Sequence, residues 1–237
     1  MFATFLTAEW NNLIMANYII DPEILKPYLP NKTELDTYNG KCYVSLIGFM
    51  FEKTKLLGIS IPFHKNFEEV NLRFYVRYND NGVWKRGAVF IKEIVPKPVI
   101  SIVANTLYKE KYSTMKMKHF YIKDDNEIYL GYHWKHKGKW NKLEATTATE
   151  ALPMQPGSEE EFIAEHYWGY SKYNDQTTYE YPVQHPAWKV YKVQHYLIDC
   201  NFTALYGPSF YFLQNAIPKS VFMAQGSPIS ILNKRSI

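Results

Sequence analysis

Cysteine is scarce. Cys42 and Cys200 are the only two in 237 residues, with no C-x-x-C spacing and no histidines set beside them. That excludes a disulfide framework, argues against a zinc site, and points to a reduced, cytoplasmic setting. Long apolar runs are missing too: no stretch approaches the ~18 residues needed to span a bilayer. The N-terminal Met1-Phe2-Ala3-Thr4-Phe5-Leu6-Thr7-Ala8-Glu9 lacks the lysine or arginine that opens an export signal. Neither sign of charge dominates, since a net charge of +4 falls well short of the clustered excess that would make nucleic acid the default partner. The nucleophile elbow G-x-S-x-G, the Walker loop, the dinucleotide fingerprint G-x-G-x-x-G and H-E-x-x-H are all absent, which removes the enzyme classes that announce themselves by motif. No repeat, low-complexity tract or linker divides the chain, so residues 1–237 are expected to form a single domain, with Pro153 to Ser158 as a joint between two layers.

Aromatic residues are plentiful instead. They make up 17% of the chain, with 20 Tyr and 14 Phe, which suits strands and amphipathic pocket walls better than a helical bundle. Strands are predicted at Leu13 to Ile20, Cys42 to Phe49 (buried on both faces), Ala88 to Ile94, Val99 to Ala104, Ile128 to Trp134 and Trp188 to Leu197. Asp80-Asn81-Gly82 marks a hairpin turn. Asp21 caps a short helix with Pro22 in its first turn, ended by Pro27 and Pro30. Ser158, answered by Glu161, caps a second helix carrying Phe162, Ile163, His166 and Tyr167 and ending near Gly169. The expected fold class is therefore α+β, mostly antiparallel β with a few helices.

The segment from Glu69 to Arg77 alternates without a break: Val70, Leu72, Phe74 and Val76 point one way, and Glu69, Asn71, Arg73, Tyr75 and Arg77 the other. Side chains two apart on a strand sit about 7 Å from each other, so an acid, an amide, a guanidinium and a phenol form a row. Such a row lines either a polar pocket or the wet side of a sheet. His133 and His136 fall on opposite faces of a strand, so no metal is called for. His166, within Glu165-His166-Tyr167-Trp168-Gly169-Tyr170, is of a kind more often packed than proton-carrying. The basic run Lys109, Lys111, Lys116, Lys118, His119 and Lys123 interleaves with aromatics and could track a phosphate backbone, but a solvated face is the better reading, since acids elsewhere nearly balance it and no RNA-binding motif accompanies it.

Trp10, Tyr18, Asp21-Pro22, Leu25, Leu29-Pro30, Asp36, Gly40, the run Phe67 to Val76, Arg86-Gly87, Glu165-His166-Tyr167, His185-Pro186-Ala187-Trp188 and Tyr206-Gly207 together resemble the YqjF-like family of uncharacterised proteins, over nearly the whole chain. That family is similar to acetoacetate decarboxylase, which implies a barrel-like antiparallel fold with a polar pocket, into which the Glu69 face would point. The decarboxylase forms a Schiff base on a lysine whose pKa an adjacent lysine lowers. On this chain the corresponding segment is Lys111-Tyr112-Ser113, with both lysine positions replaced; the family's pocket arginine falls near Asn11, and its pocket glutamate on Glu69. Lys109 and Lys111 are off-register.

The resemblance thus implies a lyase-like pocket for a small carbonyl or carboxylate compound without a Schiff-base lysine. Glu69 is the candidate acid or base, Arg73 the carboxylate clamp, and Asn71, Tyr112 and His166 the ligand-binding partners. No cofactor is expected, and a small molecule rather than nucleic acid or membrane is the expected partner, with a homo-oligomer as an allowed assembly. A non-catalytic ligand-binding barrel is the alternative, followed by a weak nucleic-acid binder through the Lys109 to Lys123 face.

Overall fold

A computed structural model of the protein describes residues 3–237. Met1 and Phe2, which open the N-terminal segment read for an export signal, lie outside the described residues. The chain runs β1 (Thr4–Ile20), α1 (Pro22–Leu25), β2 (Glu34–Leu35), β3 (Cys42–Leu56), β4 (Phe67–Asp80), β5 (Val83–Val95), α2 (Pro98–Leu107), β6 (Tyr112–Thr114), β7 (Lys116–Lys123), β8 (Glu127–His136), β9 (Lys139–Pro153), α3 (Glu159–Ala164), β10 (Trp168–Lys172), β11 (Thr178–Gln184), β12 (Lys189–Asp199), α4 (Phe202–Tyr206), β13 (Ser220–Leu232) and β14 (Arg235–Ser236). Among the described residues no helix is long and apolar enough to cross a membrane.

The sheet is mostly antiparallel, in the order β14-β11-β10-β5-β4-β3-β1-β13-β12-β9-β8-β7. Val183 and Gln184 of β11 also pair with Ile231 and Ser230 of β13, so the path from β11 through β10, β5, β4, β3 and β1 to β13 returns on itself. Strands β12, β9, β8 and β7 continue from β13 as a second layer, while the short β2, β6 and β14 pair with β4, β5 and β11. The apolar face of β4 packs toward that layer: Val70, Leu72, Phe74 and Val76 share a core with Ile128, Leu130, Tyr132 and Trp134 of β8. Each of the fully buried Leu72 and Phe74 contributes about 2 kcal/mol by leaving water. Gly48 of β3 allows the approach, because a Cβ there would stand 2.7 Å from the Tyr132 ring. The opposite face of β4 looks into the ring, where Leu13, Ile47, Phe49, Phe51, Phe67 and Tyr75 form a separate core.

Several sequence expectations hold in place: the strands over Cys42 to Phe49, Ala88 to Ile94 and Ile128 to Trp134, the two-residue hairpin at Asn81-Gly82, and the caps, with Asp21 accepting from the Glu23 amide and Ser158 from the Glu161 amide. Others need correction. β1 begins at Thr4 rather than Leu13. Asn12 adopts a left-handed φ of 57° and the register with β3 shifts between Asn11 and Ile14, so a bulge interrupts the alternation that would have revealed the longer strand. Opposite it, Gly226 at φ 86° is obligatory, since a Cβ there would lie 1.9 Å from the Trp10 carbonyl oxygen.

Val99 to Ala104 is helical, not extended. Pro98 starts α2, and its apolar residues Ile100, Val103 and Ala104 turn one face inward, which outweighs the β-branched run. Pro27 does not stop the first helix but lies in a 3-10 turn, Lys26–Tyr28, that continues it. The helix from Glu159 ends at Ala164, short of His166 and Gly169, because Trp168 to Lys172 pair with β11 and β5. Of the basic run, Lys116, Lys118 and Lys123 stand exposed on β7, the strand at one end of the sheet order.

Candidate functional site

The inward row of β4 faces a cavity of about 130 Å³ inside the ring. Its walls are largely apolar, with Trp10, Phe49, Phe67, Phe90, Ile100 and Trp188 among the lining side chains. Glu69, Asn71, Arg73, Tyr112 and His166, singled out in the sequence, all line it as well.

Three elements meet at its acidic end. Glu69 of β4 is 2% exposed, and both its oxygens are held: Asn71 Nδ2 donates to Oε1 at 2.9 Å and the Tyr112 hydroxyl to Oε2 at 2.9 Å. Tyr112 is set by Asn105 of α2, whose side chain accepts from the Tyr112 amide at 2.7 Å and donates to its carbonyl at 3.0 Å. β6 then runs parallel to β5 with Tyr112 beside Glu93. Glu93, also 2% exposed, was not anticipated, and neither was Glu110, which accepts from the Tyr181 hydroxyl at 2.6 Å.

A bulge explains why Glu93 faces inward. Counting back from the hairpin pair Asp80↔Val83, Asn71 would oppose Lys92; the register shifts between Leu72 and Arg73, so Asn71 opposes Glu93 instead. One inserted residue exchanges the two side chains between faces. Glu93 enters the cavity, while Lys92 leaves it and donates to the Leu205 carbonyl.

Burial dominates the electrostatics here, because a charged carboxylate loses its water. It pushes Glu69 up to about 7 against the smaller opposing pulls of Asn71, Tyr112 and Arg73. Glu110 rises to about 8 from burial, with Tyr181 opposing. Glu93 is raised well above the carboxylate range by burial and by the neighbouring Glu110 and Glu69. Burial, and then Glu69, push the Tyr112 phenol up, so it remains a donor. Two acceptors, Glu93 Oε2 and Asn71 Oδ1, are buried with no hydrogen-bond partner among the described residues.

At the other end of the row, Arg73 commits few of its donors, and those weakly: Nη2 reaches the Ile163 carbonyl at 3.3 Å and Nε the Tyr75 hydroxyl at 3.4 Å. His166 stacks on Tyr75 with ring centroids 4.5 Å apart, and its Nε2 makes only a long 3.5 Å approach to Asp36, which Arg86 engages at 2.6 Å. Burial depresses the imidazole to about 4, outweighing Asp36, so it is neutral near pH 7. Lys109 and Lys111 are not among the lining residues; the Lys111 ammonium lies over the Tyr28 ring at 5.0 Å. Asn11 turns to Glu52 Oε2 at 2.9 Å. No group of three or more His, Cys, Asp and Glu suited to a metal occurs among the described residues.

The DUF2071 model, described as an uncharacterized conserved protein, matches residues 7–228. The chain belongs to the DUF2071 family. It is 29% identical over 171 residues to the uncharacterized protein YqjF of Bacillus subtilis (strain 168), covering 72% of this chain and 66%, just under two thirds, of that one. Among solved structures it is similar to acetoacetate decarboxylase from Legionella pneumophila subsp. pneumophila str. Philadelphia 1, with TM-score 0.68, 12% identity and coverage of 99% of this chain and 88% of that one. An acetoacetate decarboxylase-like enzyme from Sphingomonas wittichii RW1 gives 0.66, 11%, 99% and 93%. The enduracididine biosynthesis enzyme MppR, complexed with pyruvate, gives 0.66, 10%, 100% and 91%. At these identities the likeness is one of fold, and the family resemblance read from the sequence holds with it.

Proposed function

We propose that this DUF2071 protein binds a small carbonyl compound bearing a carboxylate, and that Glu69 moves a proton on it without an imine. The observation that carries this reading is the row itself: a buried acid steadied at both oxygens by Asn71 and Tyr112, with a sparsely committed guanidinium two rungs further along the same strand face. Arg73 would take the carboxylate, for which its planar fork is suited. Glu69, near 7, is poised to act in either direction at neutral pH. As a base it would take the proton from the carbon beside the carbonyl; the C–H electrons become the enol double bond and the carbonyl oxygen receives a proton from a neutral carboxyl such as Glu93. That neighbours in fold handle carbonyl acids is consistent with this class of ligand, and the replacement of both lysine positions by Tyr112 and Ser113 is why no imine is invoked. A non-catalytic binding role is the second reading, favoured by the same two hydrogen bonds, since an acid occupied at both oxygens is well held for recognition.

The test pairs a thermal-shift screen of 2-oxo acids and simple carboxylates with NMR of 2-oxobutanoate in D2O. Binding should raise the melting temperature of wild type, and deuterium should enter carbon 3 faster with wild type than with Glu69→Gln. Binding without added exchange selects the non-catalytic role. A screen in which no oxo acid or carboxylate raises the melting temperature rejects both.

A further inference from the structure

The cavity holds more acid than that reaction uses. Glu69, Glu93 and Glu110 all line it, while Arg73 is the only guanidinium or ammonium group among its described lining residues. The two lysines nearest in sequence do not enter the cavity: Lys92 is turned out by the bulge to the Leu205 carbonyl, and the Lys111 ammonium lies over Tyr28, outside the lining. The carboxyls are not closed off by one another either. Glu93 Oε2 and Asn71 Oδ1, in residues 2% and 1% exposed, stand without a donor among the described residues. Buried acceptors are ordinarily satisfied, and a pair left open on the wall of a cavity marks where a bound molecule brings its own N–H groups.

We propose that the ligand carries, besides its carboxylate, a cationic donor head, an ammonium or amidinium, seated among Glu93, Glu69 and Glu110 with Asn71 Oδ1 as a further acceptor. This rests on the cavity being the ligand site and specifies the ligand as bipolar. A neutral hydroxyl would bring one donor and leave the carboxyls protonated; a primary ammonium brings three donors and one charge, which allows one of the three carboxyls to ionise while another stays neutral as a proton donor. The apolar walls suit the short carbon chain joining the two ends.

Entry of the cation then displaces protons. The charged and titratable groups facing this end are Glu69 and Arg73 from β4, Glu93 from β5, Tyr108 after α2, Glu110 and Tyr112 from the segment that enters β6, Tyr181 from β11 and His166, with Lys111 and Lys172 acting from outside. Burial raises all three carboxyls, so affinity for an ammonium climbs from pH 6 to pH 8.

The experiment is titration of the full chain with n-butylamine, butan-1-ol and butanoate, read by thermal shift and calorimetry at pH 6 and pH 8. Butylamine should bind wild type, with affinity rising up to about tenfold per pH unit where one proton is displaced, and it should bind Glu93→Gln at least ~10-fold more weakly while butanoate is unaffected. Glu110→Gln serves the same purpose should Glu93→Gln not fold. Butanoate binding with no response to butylamine at either pH overturns the cationic head and leaves the reading of the cavity standing; no response to any of the three overturns both. Undiminished butylamine binding in the folded variant also overturns the proposal.

Discussion

Two clusters of acids flank the β4–β5 pair and meet opposite fates. At the hairpin end, Lys85 reaches Asp80 at 2.6 Å and Glu180 at 3.1 Å, and Arg235 reaches both at 2.5 Å. Hydrogen bonds from Lys85 and Arg235 hold Asp80 below the usual carboxylate range. Inside the ring, Glu69, Glu93 and Glu110 make no ion pair within 4 Å among the described residues, and their pKa values go up. The same side-chain chemistry becomes an ionic fastening in one place and a proton store in the other. What separates them is whether a cation comes within ion-pair distance of the acids: at the cavity Arg73 stands two rungs along the strand from Glu69, and the Leu72/Arg73 bulge sends Lys92 outward.

The sharpest way to break the comparison is to remove the cations of the hairpin end. Glu180 is fully buried, so Lys85→Met with Arg235→Met would strip its carboxyl of both cations, at a cost of about 3–5 kcal/mol. Chemical denaturation at pH 7 measures this. A loss no larger than that of Arg73→Met, whose guanidinium pairs with no acid within 4 Å among the described residues, would show that the two clusters are not different in kind.

A smaller effect, of opposite sign, belongs to the cavity. Glu110 titrates near 8 when folded and near the ordinary 4.5 when unfolded. Between those values the folded state holds a proton that the unfolded state has released, so wild-type stability falls as pH rises through the window. Glu110→Gln cannot ionise, and its carboxamide still accepts from Tyr181. Its stability relative to wild type should therefore climb between pH 5 and pH 8.5, by roughly 2 kcal/mol. A carboxyl titrating alone would give ~1.4 kcal/mol for each pH unit of that window, and the three acids fall short of this because they titrate together. Asp80→Asn should behave inversely, losing its cost as pH falls toward 3. Parallel pH profiles for the two variants would remove the distinction.

How much of this was readable beforehand depends on period. The row Glu69, Asn71, Arg73 follows a strict alternation of two, and the strand it foretells lies where expected, with the apolar side packed on β8. Tyr112 came from the family pattern, whereas His166 was first picked out by helical spacing after Ser158, in a helix that ends before reaching it. Glu93 was hidden because the hairpin turn at Asn81-Gly82 implies a register in which Lys92 faces Asn71, and nothing in Phe90-Ile91-Lys92-Glu93 marks the bulge that overrides it. Glu110 escaped because it follows Lys109, at a left-handed φ of 56°, in a turn whose direction is set by tertiary contacts. Val99 to Ala104 misled through its β-branched residues, although Pro98 at its head is a helix-start signal.

The smallest expected effect is none at all. Imine formation needs an unprotonated amine facing the carbonyl in a water-poor site. Lys111 is the lysine to watch, since the protein packed around its ammonium lowers its pKa, with Lys172 adding to the shift against the pull of Glu110. Its side chain nonetheless lies over Tyr28, outside the cavity lining, and the position that enters the cavity is Tyr112, whose raised phenol is a poor nucleophile. Acetoacetate with borohydride should therefore leave Lys109 and Lys111 no more modified than Lys116 and Lys123, which stand exposed on β7, when the digested protein is weighed by mass spectrometry. Selective modification of Lys111 would place an imine-forming amine beside the three carboxyls after all, and the cavity acids would then have a cation within reach, as the acids of the hairpin cluster do.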